Sequence, residues 1–185
     1  MREAFEWLAS FFNKYYRHFF EKKCKMKVEV ETSDVALTLR FKGKGLKERM
    51  EYALITKGNI ITPLRNGNPF HFRFSQKEME FAFSESEIMK AFHFIVGKAL
   101  EEAICRSLCH ESKGIFSHIS VELDETKAFY GKEEIEVVPR IRGNKILLIT
   151  RQNSGRRKKV VRVEEILLKD FRPFDFAKRF ALLSL

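Results

Sequence analysis

Nine cations and no carboxylate occupy the stretch from Val137 to Arg162: Arg140, Arg142, Lys145, Arg151, Arg156, Arg157, Lys158, Lys159 and Arg162. Guanidinium and ammonium groups crowded in this way contact phosphate oxygens, and binding of that kind weakens steeply as salt rises. Asn153-Ser154-Gly155 leads straight into Arg156-Arg157-Lys158-Lys159, a flexible basic loop beside a strand end. A merely solvated basic loop is the bland alternative, and clustering of the cations rather than alternation with acids favours phosphate contact. Upstream, Glu102, with Glu101 beside it, falls near the edge of an apolar helical stripe. A carboxylate so placed is either a border residue or an acid turned into a site. Cys105, Cys109 and His110 would make a metal site only with a second ligand pair, and no pair with the usual spacing exists. The histidines His18, His71, His93, His110 and His118 lie in no recognisable nucleophile context.

These groups need a scaffold, and the apolar spacing supplies one. Residues 2 to 23 place Phe5, Leu8, Phe12, Tyr15, Tyr16 and Phe19 at three-and-four spacing, which predicts a helix with a broad aromatic face. That face needs a cover: first the protein's own sheet, next a homodimer or another protein partner, and last a stacked base. From Cys24 the period becomes two, through Met26, Val28 and Val30, then Val35, Leu37, Leu39 and Phe41, then Phe70, Phe72 and Phe74, as half-buried antiparallel strands require. Lys42-Gly43-Lys44-Gly45 and Asn66-Gly67-Asn68-Pro69 carry turn chemistry. Ser84-Glu85-Ser86-Glu87 fits a capping box ahead of a long helix with Ile88, Phe92, Ile95, Ala99 and Ala103 inward, reaching about Cys109.

After a loop around Lys113-Gly114, Ile119 to Leu123 reads as a strand. Glu134 to Ile141 and Lys145 to Gln152 then form a hairpin across Arg142-Gly143-Asn144. Its second arm, Ile146-Leu147-Leu148-Ile149, is apolar enough to be a strand covered on both faces. The tail from Val160 returns to helix-like spacing, with an interruption at Pro173.

The chain of 185 residues is 44% hydrophobic, enough for a real core, and its net charge of +10 favours polyanionic partners. A thermophile's charged surface, rich in Lys and Glu and poor in Gln, would give the same composition. Three cysteines make no secreted disulfide framework. No run approaches the roughly 18 apolar residues of a membrane span, and Arg2, Glu3 and Glu6 stand where a signal peptide would be basic and then greasy, so the expectation is a cytoplasmic protein.

Gly97-Lys98-Ala99-Leu100-Glu101-Glu102 on a helix, then Glu134-Ile135-Glu136-Val137-Val138, then Arg142-Gly143-Asn144-Lys145 and an apolar strand, together resemble the PD-(D/E)XK, restriction-endonuclease-like core. The chain is most similar here to the nuclease domains of CRISPR-ancillary effectors that follow a CARF sensor domain. The likeness spans about residues 81 to 153, and residues 1–80 carry no nucleotide-binding βαβ pattern. It implies an α/β chain with an α+β mixed sheet, the nuclease-like core over 81–185 following the aromatic helix and antiparallel strands that the spacing predicts over 1–80.

By the same resemblance Glu101 and Glu136 hold Mg²⁺ or Mn²⁺, while Thr150 and Gln152 stand where the family has a Glu and the Lys that helps the attacking water. Thr supplies no charge to the ion and Gln none to the transition state, so the catalytic set of Glu101, Glu136 and Gln152 is degenerate. Three readings follow: a nuclease-like domain that binds DNA or RNA without cutting it, a divergent Mg²⁺-dependent nuclease, or an assembly subunit that dimerises through its aromatic helix.

Overall fold

The computed structural model describes residues 2–43, 46–112, 115–130 and 134–183, with side chains as far as Arg179. Lys44-Gly45, read above as part of a turn, and Lys113-Gly114, read as a loop, lie outside the described residues. The architecture is α/β, with helices and two sheets whose strands all pair antiparallel, in place of the mixed sheet that the family resemblance implied. Two compact units divide the chain, Met1–Ala99 and Leu100–Leu185, where the sequence suggested a division after residue 80.

In the first unit, α1 (Arg2–Tyr15) turns Phe5, Leu8 and Phe12 inward, and a wider turn over Phe19–Lys23 buries Phe19 and Phe20. The helix packs on β1 (Lys27–Thr32) and β2 (Ala36–Lys42), whose Val28, Leu37, Leu39 and Phe41 alternate into the same core. Each such apolar side chain, taken fully out of water, contributes about 1.5–3 kcal/mol. The aromatic stripe is thus covered by the protein's own strands, and Trp7 and Tyr15 remain exposed.

The sheet continues through β3 (Met50–Lys57), β4 (Ile60–Arg65), β5 (Asn68–Pro69) and, paired to β4, β6 (Phe81–Ala82). Asn66-Gly67 makes the expected turn, both residues holding positive φ. Of the phenylalanines read as one strand, only Phe70 is buried. Phe72 and Phe74 sit on a short loop, where the Phe74 ring is 93% exposed.

Ser84 caps α2 (Glu85–Glu111), its Oγ accepting from the Glu87 amide at 3.3 Å. In the second unit the later turns of α2 bury Ala103, Ile104, Cys105 and Leu108. The sheet there is a simple meander of β7 (Phe116–Val121), β8 (Thr126–Tyr130), β9 (Ile135–Arg142), β10 (Lys145–Ser154) and β11 (Arg157–Leu167). The expected β9–β10 hairpin is present, with Gly143 at φ +60° in a two-residue turn.

Two further expectations change. The expected pairing of the hairpin with the strand near Ile119 is not made, because β8 lies between them, and the segment from Val160 to Leu167 is edge strand rather than helix. Ile146 and Leu148 are fully buried and Leu147 and Ile149 half-buried, so β10 is covered more on one face than on the other. α3 (Pro173–Leu183) closes the unit and buries Phe176 and Ala177.

Candidate nucleic-acid interface

Hairpin register decides which side chains meet. The two-residue turn sets Arg142 opposite Lys145, and the ladder runs on to Val137 opposite Thr150, Glu136 opposite Arg151 and Ile135 opposite Gln152. Directly opposed residues share a face and successive residues alternate. Glu136 therefore lies on one face with Arg151, whereas Thr150 and Gln152 lie on the other. The degenerate set expected around one ion is not assembled: Glu136 is parted from both its hairpin partners by the sheet itself. Glu101 is half-buried on α2.

The Glu136 carboxylate is 0% exposed and already surrounded by cations. Its Oε1 stands 2.6 Å from Arg151 Nη2 and 3.2 Å from Lys158 Nζ, and its Oε2 stands 3.6 Å from Lys127 Nζ. Glu125, just before β8, takes a bidentate fork from Arg151 at 2.7 Å and 2.7 Å and a third contact from Arg140 at 3.2 Å. Two carboxylates thus meet four cations, Lys127, Arg140, Arg151 and Lys158, and the cluster keeps a positive excess.

Burial works to raise the Glu136 carboxyl, but the hydrogen bond from Lys158 and the charges of Arg151 and Lys127 outweigh it, leaving its pKa below the usual carboxylate value. The Arg151 hydrogen bond, helped by Lys127 and Arg140, lowers Glu125 against its own burial. A divalent ion needs carboxylate charge that is free to face it. Glu136, already hemmed in by three cations, does not fit that role, and the described residues contain no group of three His, Cys, Asp or Glu side chains able to hold a metal. Burial pushes the Cys109 thiol up to about 11 against the opposing charge of Arg106, which keeps it protonated near neutral pH.

The nine cations separate into three groups. Arg142 and Lys145 flank the β9–β10 turn, Lys145 reaching Glu165 at 3.0 Å. Arg140 and Arg151 are held in mid-sheet by Glu125, and Arg162 lies 3.4 Å from Glu164 on the other face. Arg156, Arg157, Lys158 and Lys159 form the tip of the β10–β11 hairpin, where Gly155 takes φ +65° at the first turn position. At about 3.3 Å per residue, the two turns lie about 30 Å apart along β10.

Among the described residues, Arg142, Arg156, Arg157 and Lys159 have no acidic partner, and all four are exposed. Sequence reasoning missed Glu125 and Lys127, and it read Asn153 as loop, whereas Asn153 lies on β10 and donates to Glu136 Oε2 at 3.5 Å. It also counted charge along the chain while the sheet brings acids in from the side. No protein family, no curated protein and no solved structure matches this chain.

Proposed function

We propose that the protein binds nucleic acid through its sugar–phosphate backbone at the β10–β11 tip and does not cut it. The observation that carries this reading is the trio of Arg156, Arg157 and Lys159, exposed and, among the described residues, without an acidic partner at the end of a two-stranded ribbon. Unsatisfied guanidinium and ammonium groups on a projecting turn reach phosphates without crowding the rest of the strand. The excess positive charge of the Glu125–Glu136 cluster behind the tip adds to the local field. Contacts of this kind carry position rather than sequence, so the preference among sequences should be small.

The test is binding of a fluorescent duplex and of a single strand, as DNA and as RNA, over a range of salt. Three phosphate contacts give a slope of about −2.7 in log K against log salt for a duplex, which is about a 40-fold loss of affinity over a fourfold rise in salt. Arg156→Ala/Arg157→Ala/Lys159→Ala should flatten that slope to near zero. Unchanged affinity in this variant, or cleavage products in Mg²⁺ or Mn²⁺, overturns the reading.

A further inference from the structure

β11 is the last strand of its sheet, bonded to β10 on one side, and no described strand pairs with its other edge. Three valines on it are solvent-facing, Val160 at 53%, Val161 at 50% and Val163 at 58%. An edge eleven residues long with apolar side chains invites another strand. The strand is also polarised: Lys158 and Lys159 occupy its first half, Glu164 and Glu165 its second.

We propose that β11 pairs antiparallel with β11 of a second copy of this chain, about a two-fold axis lying between Val161 and Arg162. In that register Lys158 faces Glu165, Lys159 faces Glu164, and Val160 faces Val163, each pair occurring twice by symmetry. Lysines on a solvent edge ordinarily repel an incoming strand. Here the incoming strand presents glutamates to them, and the like-charge alternatives are avoided.

The bulge makes this register possible. Arg151 pairs with Val160 and Thr150 with Arg162, which leaves Val161 as the extra residue. In a regular strand, self-pairing matches faces only for residues an even number of positions apart. Lys158 and Glu165 are an odd number apart, yet the β10 ladder puts both on the face of Leu147, Ile149, Arg151 and Asn153. Val160 and Val163 join them there, and Lys159 and Glu164 share the opposite face. The inserted residue thus brings charges and valines into register on both sides of the shared sheet. Cross-strand pairs of opposite charge and of β-branched side chains are the ones that stabilise antiparallel neighbours.

The experiment is sedimentation equilibrium on the full chain over a wide concentration range, with circular dichroism to verify the fold of each variant. The wild type should show a reversible dimer. Lys159→Glu alone and Glu164→Lys alone should each weaken it by about tenfold, because like charges then oppose each other twice. An equimolar mixture of the two variants should recover a heterodimer of wild-type affinity, since the acid introduced at position 159 of one copy then meets the lysine introduced at position 164 of the other. A wild type that stays monomeric, a dimer that both single variants retain, or a mixture that fails to recover each overturns the proposal. None of these readouts involves nucleic acid, so they stand or fall apart from the binding function.

Discussion

Replacing Glu136 by Gln removes one charge from the centre of the β8–β10 cluster and keeps its volume. Breaking a buried ion pair by deleting one partner costs roughly 3–5 kcal/mol when the other charge is left uncompensated. Here the loss is smaller. Arg151 keeps its bidentate fork to Glu125, and the Lys158 side chain is 44% exposed, so water can take over part of its solvation. Lys127 also keeps Glu125 at 3.6 Å. The remaining cost is about 2 kcal/mol, which for a chain of this size corresponds to a fall in Tm of about 4–8 °C.

Urea unfolding of the wild type, Glu136→Gln and the exposed neighbour Glu134→Gln measures this directly, the last expected to stay within about 0.5 kcal/mol of wild type. The same titrations repeated with Mn²⁺ add a second constraint. A carboxylate that holds metal would make the wild type more stable as the ion is added, and the Gln variant would lose that gain. If Glu136→Gln unfolds like the wild type, or if Mn²⁺ stabilises the wild type and not the variant, the view of Glu136 as the anchor of a cation cluster is wrong.

Other outcomes follow from the same geometry. Glu51, Glu125 and Glu136 are all held below the ordinary carboxylate value, so their stabilisation is complete above the unfolded-chain pKa of about 4.3 and disappears as pH falls through the lower folded-state values. Urea midpoints measured from neutral to strongly acidic pH should therefore drop on the acid side, and less steeply in Glu136→Gln. On α2 the buried Glu102 carboxylate accepts from Arg106 Nε at 2.6 Å, so Glu102→Ala should cost about 3–5 kcal/mol, while Glu102→Leu/Arg106→Met should recover most of it in the same assay. With its thiol pushed up to about 11, Cys109 should react with iodoacetamide in the native protein much more slowly near neutral pH than after unfolding, as mass spectrometry would follow.

The helices were readable because their apolar stripes keep the period of an α-helix over many turns, and because Ser84 announces the start of α2. Turn chemistry located the Gly143 hairpin. That same turn already contained the register: once Arg142 opposes Lys145, Glu136 must oppose Arg151 and Thr150 must oppose Val137. The family likeness carried more weight than this count and drew Thr150 and Gln152 to the wrong face.

β11 escaped notice because Val160, Val163 and Ile166 are three apart and imitate a helical stripe, while the bulge at Val161 interrupts the alternation that marks a strand. β3 was hidden differently, since Tyr52, Ala53 and Leu54 are buried in succession and no alternation remains to read. The cation cluster was half legible. Its positive members are contiguous in sequence, but Glu125 and Glu136 precede the acid-free stretch and meet it only across neighbouring strands.

The meander from Phe116 to Leu167 has a kinetic consequence. Every strand bonds only to the strands before and after it in the chain, so each pairing closes a short loop and no distant segments must find one another. Such local connectivity lowers the entropic barrier to assembly relative to a sheet with crossovers. Hairpins tied by Gly143 and Gly155 can zip in succession as the chain leaves the ribosome, with the outermost ribbon formed last.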